Sequence, residues 1–303
     1  MKEKIILNKK IQEAISFKKP IVALESTLIS HGLPYPENVK VAKDSIKAIE
    51  ESGAVAATIG IIKGKIKIGL SNDDIEILAN TRDVQKVSNH NLLISIYNKY
   101  NATTTVASTI SIASMFKIKF FATGGIGGVH LNSEKTYDVS GDIYSLSQNS
   151  NFVICSGAKS ILDLDKTYEL LETYGITRVG YCTDFMPGFW YPETNNKVDI
   201  NFKKITDIVS FLKLKEKLPI NKSILIFNKV PKKYELKKDD VNIWIKKSIK
   251  RANDKNIKGK NITPFLIKEI NKESNNLTLK ANTSLIINNA LLAGKLSKEY
   301  YSN

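Results

Sequence analysis

The chain has 303 residues, 42% of them hydrophobic, and a formal charge of +15, which is enough apolar content for one large core or two modest ones. Its longest apolar runs, such as Leu285 to Ala293, are too short and too broken by asparagine to span a bilayer. The start M-K-E-K-I-I-L-N-K-K lacks the apolar run and cleavage site of a secretory signal, so a soluble, cytoplasmic chain with no membrane partner is expected. Of its 45 basic residues only Arg82, Arg178 and Arg251 are arginine, the residue preferred for phosphate and base recognition, so the charge does not by itself point to nucleic acid.

In chain order, Ile21 to Leu24 reads as a strand and Pro36 to Ser52 as a helix. Ala56 to Ile62 and Lys65 to Leu70 form a hairpin around Lys63-Gly64, and Asn72 to Asn80 is a helix. Thr104 to Met115 looks helical, Phe120 to Thr123 is a strand and Asp142 to Ser147 is helical. Phe152 to Cys155 then reads as a buried strand, Ser156 to Ala158 as a tight turn and Ser160 to Tyr174 as a helix, so Lys159 falls where that helix begins. Val179 to Cys182 and Ser223 to Phe227 complete the strands, and the tail from Lys260 to Tyr300 reads as helices only. Strands separated by helices predict an α/β fold with a mainly parallel sheet covered on both faces. No repeat or long linker divides the chain, so residues 1–303 read as one domain with Lys213 to Asp240 as a peripheral excursion. Cys155 and Cys182 lie in strand-like contexts without metal-ligand spacing and are expected to be buried thiols.

Small or reactive residues follow several of these strands, where open parallel sheets hold ligands. In V-A-L-E-S-T-L-I-S-H, Glu25 and His31 suit acid or base work, or Glu25, Ser26 and Thr27 form a capping network. In F-A-T-G-G-I-G-G-V-H, the glycines between Thr123 and His130 would let backbone N–H groups approach an anion, or form a turn without a ligand. Asp138 and Asp142, flanking Ser140 and Gly141, could share a hard divalent cation, or could be a helix cap and an exposed acid. The hydroxyl-rich N-A-T-T-T-V-A-S-T suggests polar ligand contacts, though Thr is common at helix starts. Lys159 is either a nucleophile whose amine a helix N-terminus would deprotonate more easily, or a lysine covering apolar surface.

Together these strings, with V-Q-K-V-S, D-V-S-G-D, C-S-G-A-K-S-I-L-D, I-K-G-K-N-I-T-P-F-L and I-N-N-A-L-L-A, resemble in family order the pseudouridine-5'-phosphate glycosidases and the indigoidine-synthase-A-like proteins. The resemblance implies a three-layer α/β/α sandwich, usually a homotrimer. It also implies reversible cleavage of the carbon–carbon bond of pseudouridine 5'-phosphate to uracil and ribose 5-phosphate. In that reaction the ribose ring opens and a lysine forms a Schiff base at the anomeric carbon. The matching residue here is Lys159, with Glu25 as the acid/base. Asp138 matches a divalent-metal ligand, Mn2+ in relatives, and Lys86, Val106, Ser140, Gly141 and Asp142 match substrate contacts. His130 and Thr123 are implied neighbours of phosphate or ribose. Two arginines usual after K-V-S are here Asn89-His90, the loop F-M-P-G-F-W-Y-P is shorter than usual, and Gly141 stands for a usual alanine.

Overall fold

Four runs, Ile21–Leu24 (β2), Phe120–Ala122 (β7), Phe152–Cys155 (β8) and Ile224–Phe227 (β11), are apolar at every position. A strand sends successive side chains to opposite faces, so such a run demands cover on both sides. The computed structural model, which describes residues 4–257 and 262–302, provides it. Val22, Phe120, Phe152 and Ile224 join one core cluster, while Ala23, Phe121, Val153 and Leu225 join another on the opposite face. On the first face pack α2 (Glu37–Glu51), α9 (Ile205–Glu216) and α12 (Leu277–Tyr301), through Ala48 and Ile49, Ile208 and Leu212, and Ala290 and Leu296. The second face is covered by α1 (Lys9–Ser16), α5 (Val106–Met115), α7 (Gly141–Gln148) and α8 (Leu164–Thr173). Each large side chain so buried contributes roughly 1.5–3 kcal/mol, and Phe120 and Phe152, 5.2 Å apart edge to face, pin α12 through its Tyr300, whose ring lies 5.4 and 5.8 Å from theirs. The architecture is a three-layer α/β/α sandwich.

The remaining strands are β1 (Ile5–Leu7), β3 (Val55–Ile62), β4 (Lys65–Ile68), β5 (Gln85–Val87), β6 (Ala102–Thr104), β9 (Thr177–Tyr181) and β10 (Ile200–Phe202). The sheet runs β1-β4-β3-β2-β7-β8-β11-β9-β10, with β5 and β6 attached beside β3. Among the strand pairs of the described residues, only the β3–β4 hairpin and the β3–β6 pair are antiparallel. One edge of β3 is shared: β2 pairs with it as far as Leu24 and Thr58, and β6 takes over at Gly60 and Thr103. Around this hand-over pack α3 (Asn72–Asn80), whose Ser71 and Asp74 form a reciprocal cap, and α4 (Asn89–Tyr97).

Several expectations change. Residues 102–104 are a buried strand, so α5 starts at Val106 and not at Thr104; the β-branched run A-T-T fits beside β3. The Lys213–Asp240 segment is no excursion, because it supplies β11 between β8 and β9. Cys155 is buried as expected, whereas Cys182 ends β9 in a left-handed turn, φ 54°, and is exposed. The helix expected from Ser160 starts at Leu164, capped by Asp163, whose side chain accepts from the Lys166 N–H. Residues 258–261, within I-K-G-K-N-I-T-P-F-L and the expected helical tail, lie outside the described residues; α10 (Lys238–Asp254) precedes them and α11 (Ile262–Glu273) follows.

Candidate active site

Strands β2, β7, β8 and β11 are adjacent and parallel, so the segments leaving their C-terminal ends gather at one edge of the sheet. Glu25 follows β2, Thr123 follows β7 and the turn to Lys159 follows β8. Thr123 Oγ1 donates a hydrogen bond to Glu25 Oε1. Ser26 and Thr27 do not cap a helix but latch onto β6: the Thr104 N–H donates to Ser26 Oγ at 2.9 Å, and Thr27 Oγ1 donates to the Thr104 carbonyl at 2.8 Å. With β5 paired to β6, this latch brings Lys86 to the same opening.

The opening is a cavity of about 610 Å³ whose walls include Glu25, Lys86, Thr123, Lys159, His31 and Trp190. Burial raises the Glu25 carboxyl above the usual range, against the pull of Lys159 and the Thr123 hydrogen bond. Burial lowers the Lys86 ammonium, and repulsion from Lys159 lowers it further. Burial likewise holds His31 below its ordinary value, helped by Lys86, and its Nδ1 meets Ser30 Oγ. A protonatable carboxyl and cations close to one another suit proton transfer beside an anionic substrate.

Lys159 does not sit at the N-terminus of α8, which begins beyond Asp163. What holds it is its backbone: the Lys159 N–H donates to the Ile126 carbonyl at 3.1 Å and its carbonyl accepts from the Leu162 N–H at 3.0 Å. The turn before it needs glycine, because Gly157 has φ 89° and a Cβ there would lie 2.0 Å from the Pro187 carbonyl oxygen. The amine has no salt-bridge partner among the described residues.

The glycine-rich loop is not an open anion nest. The Gly127 N–H donates to Asp142 Oδ2 at 2.8 Å, and a Cβ on Gly127 would come within 2.3 Å of Ser140 Oγ. Asp142 also accepts the Ala107 N–H at 2.9 Å, so its carboxylate fastens α7 to α5 and the loop, while still being felt by Glu25 and Lys86. Ser140 caps α7 by accepting the Asp142 N–H, and Gly141 opens that helix with room for a Cβ, the nearest atom being Ser88 Oγ at 3.5 Å. The side chain of Val106 is buried in the core. Val106, His130, Asp138, Ser140, Gly141 and Asp142 therefore form a neighbouring shell rather than the cavity wall itself.

Within that shell Val129 bridges to Val139, which sets His130 beside Asp138 with 3.8 Å between Nδ1 and Oδ2. Burial lowers the His130 imidazole, Asp138 opposes the shift, and Lys159 and Lys86 reinforce it. The Asp138 side chain is 49% exposed and accepts no hydrogen bond from a described residue. One free carboxylate beside one imidazole suits a largely hydrated divalent ion and no tighter site. No three His, Cys, Asp or Glu side chains among the described residues converge as a ligand set.

Sequence reasoning missed the cavity's other wall. Phe189 and Trp190, 5.5 Å apart, close it opposite the strand ends, and Trp190 Nε1 donates to Asn282 Oδ1 at 3.3 Å. It also missed Asn289 on α12, which is fully buried yet polar. The only signal in the sequence was the pair Asn288-Asn289 within an apolar helical stretch. Two of the three arginines are committed elsewhere, Arg178 to Asp199 and Glu172, and Arg251 to Glu269 and Glu273, which leaves little of the guanidinium chemistry a nucleic-acid surface uses. No helix among the described residues is long and apolar enough to cross a membrane.

Known proteins resemble this chain over nearly its whole length. A pseudouridine-5'-phosphate glycosidase of Brachyspira hyodysenteriae is 43% identical over 300 residues, covering 99% of this chain and 97% of that protein. One from Geobacillus kaustophilus is 44% identical over 299 residues, covering 99% of each. Among solved structures, a prealnumycin C-glycosynthase in complex with ribulose 5-phosphate superposes with a TM-score of 0.91 at 30% identity, covering 98% of this chain and 97% of that one. The family model described as indigoidine synthase A like protein matches residues 10–299, and the chain belongs to that family.

Proposed function

We propose that the chain cleaves the carbon–carbon glycosidic bond of pseudouridine 5'-phosphate, reversibly, giving uracil and ribose 5-phosphate. The observation that carries this reading is the meeting of Lys159 and a Thr123-held Glu25 in one cavity, in a chain whose relatives bear that activity. A carbon leaving group has no lone pair to protonate, so acid catalysis of the ordinary glycosidic kind does not suffice. Glu25, protonated more readily than an ordinary carboxyl, delivers a proton as the ribose ring opens. The Lys159 amine bonds to the anomeric carbon and then donates its lone pair as the bond to uracil breaks. The bonding pair leaves with the uracil carbon, which takes a proton, and the sugar remains on Lys159 as an iminium that water hydrolyses.

In this reading Lys86, on the cavity wall, supplies positive charge toward the phosphate or ribose oxygens, and His130 and Val106, from the neighbouring shell, are further substrate contacts. Ser140, Gly141 and Asp142 keep the adjoining loop in place. Asp138 would hold Mn2+ or another divalent cation, which supplies positive charge toward the substrate's oxygens when bound. The single sheet, built from strands between Ile5 and Phe227, with α12 near the C-terminal end packed on it, supports one domain over 1–303. Large apolar side chains exposed on α4 and α7 support assembly as a homotrimer; the location proposed for it is the cytoplasm.

Uracil release from pseudouridine 5'-phosphate by purified protein, with and without Mn2+, tests the reading; no uracil in either condition overturns it. A second reading, a lysine Schiff-base enzyme acting on another phosphopentose or C-riboside, is favoured by the structural relative that holds ribulose 5-phosphate. Borohydride added with each candidate separates the two, because only a true substrate leaves its reduced sugar on Lys159.

A further inference from the structure

Strands that end side by side leave carbonyls without ladder partners, and buried carbonyls need them. At the active edge of this sheet one side chain from the opposite layer meets that need. Asn289 Nδ2 donates to the carbonyl of Thr123 at 2.8 Å, to that of Gly124 at 3.3 Å and to Ser156 Oγ at 3.1 Å. Its Oδ1 accepts from Asn228 Nδ2 at 3.1 Å. Thr123, Ser156 and Asn228 are the first residues beyond β7, β8 and β11, Gly124 is the second beyond β7, and Asn289 itself is 0% exposed. It touches none of the cavity, being absent from its walls.

We propose that Asn289 is a positioning residue for Glu25: by holding the Thr123 carbonyl it fixes the strand end from which the Thr123 hydroxyl reaches the Glu25 carboxylate. The inference rests on the proposed function for its consequence in turnover, but not for its structural core. Glu25 faces Thr123 from β7, Lys159 from the turn after β8, Asp142 from α7 and Lys86 from β5. Of these only the Thr123 contact hangs on a backbone group that Asn289 ties. Loss of Asn289 therefore frees the hydroxyl and removes one interaction that favours the charged carboxylate. Asn228 offers the matching control, since its bond to Asn289 lies on the β11 side and carries no load toward Glu25.

The test is a carboxyl 13C titration of Glu25 in wild type, Thr123→Val, Asn289→Ala, the double variant and Asn228→Ala, each shown to be folded. The midpoint should rise by about half a pH unit or more in both single variants, rise no further in the double, and stay put in Asn228→Ala. For uracil release, Asn289→Ala should lose about tenfold or more in kcat with KM changed less than about threefold. Asn289→Ser, too short to span to the Thr123 carbonyl, gives the same comparison where the alanine variant folds poorly. A wild-type midpoint in the Asn289 variants, or an equal rise in Asn228→Ala, overturns the proposal. So does an unmoved midpoint in Thr123→Val. Wild-type protein that releases no uracil would defeat the proposed function instead, and the titration would still decide the role of Asn289.

Discussion

A lysine that forms a bond to carbon and a lysine that covers apolar surface differ in what replaces them. Arginine keeps the stem and charge of Lys159 but stays protonated and is no nucleophile. Lys159→Arg should thus lose carbon–carbon cleavage by several orders of magnitude and give no borohydride adduct, while its thermal unfolding stays near wild type. Near-normal turnover would return Lys159 to a packing role. Glu25 makes a prediction about stability. Its folded carboxyl holds its proton more tightly than the unfolded one, because burial outweighs Lys159 and Thr123. The folded state therefore binds more protons, and stability falls as pH climbs through the carboxylate range toward the folded value. Glu25→Gln, which still accepts from Thr123, escapes that loss. Its Tm should exceed wild type at pH 8 and the gain should shrink at pH 4; a gain that is the same at both would refute the raised carboxyl. For Asp138, excess chelator and Asp138→Ala should each suppress turnover and leave the far-ultraviolet spectrum unchanged, whereas full activity in chelator would assign that carboxylate to the surface alone.

Among the elements, the turn between β8 and α8 carries the sharpest constraint. Ala at Gly157 must adopt φ 89° and thrust a Cβ to 2.0 Å from the Pro187 carbonyl oxygen. Gly157→Ala should cost about 2 kcal/mol or more in urea unfolding and displace Lys159 two residues on, lowering kcat beyond what the stability loss explains. A variant as stable and active as wild type would mean the turn yields freely. The same turn shows what the sequence could and could not disclose. The places of Glu25 and Lys159 were legible because Glu25 directly follows one all-apolar run and Lys159 lies one short turn beyond another, and such runs end at the ligand edge of a parallel sheet. The start of α8 was not, because Ile161 and Leu162 carry helical spacing yet are buried in a non-helical turn, with Ser160 Oγ donating to the Gly188 carbonyl. The three-residue strands β1, β5 and β10 are too short for an alternation to register. Asp142 looked like a ligand because a carboxylate after a glycine is read the same way whether it meets a cation or two backbone N–H groups. Asn289 was invisible for a different reason: three strand ends converge on it only in space.

For the whole molecule, charge and apolar surface oppose each other. Leu93 is 76% exposed and Tyr97 84%, one helical turn apart on α4. Tyr144 on α7 is exposed as well, and Asn89 Nδ2 donates to Ser145 Oγ at 2.8 Å, so the two helices are neighbours. An apolar patch of this kind would suit the proposed assembly, and it belongs to elements that adjoin Lys86 and Asp142. Each copy nevertheless carries a formal charge of +15, so the proposed association would work against repulsion. Repulsion between like-charged subunits reaches about 30 Å at 0.01 M salt and about 10 Å at 0.1 M, whereas apolar burial is not screened. An assembly held by this patch should therefore tighten as salt rises from 0.01 to 0.3 M, the opposite of one held by ion pairs. Analytical ultracentrifugation should show the three-copy species persisting to lower protein concentration in high salt, and Leu93→Asp or Tyr97→Asp should leave the 33.8 kDa single chain at both ionic strengths. If salt dissociates the assembly, or if the Asp variants sediment as wild type does, the α4 face is not what joins the copies.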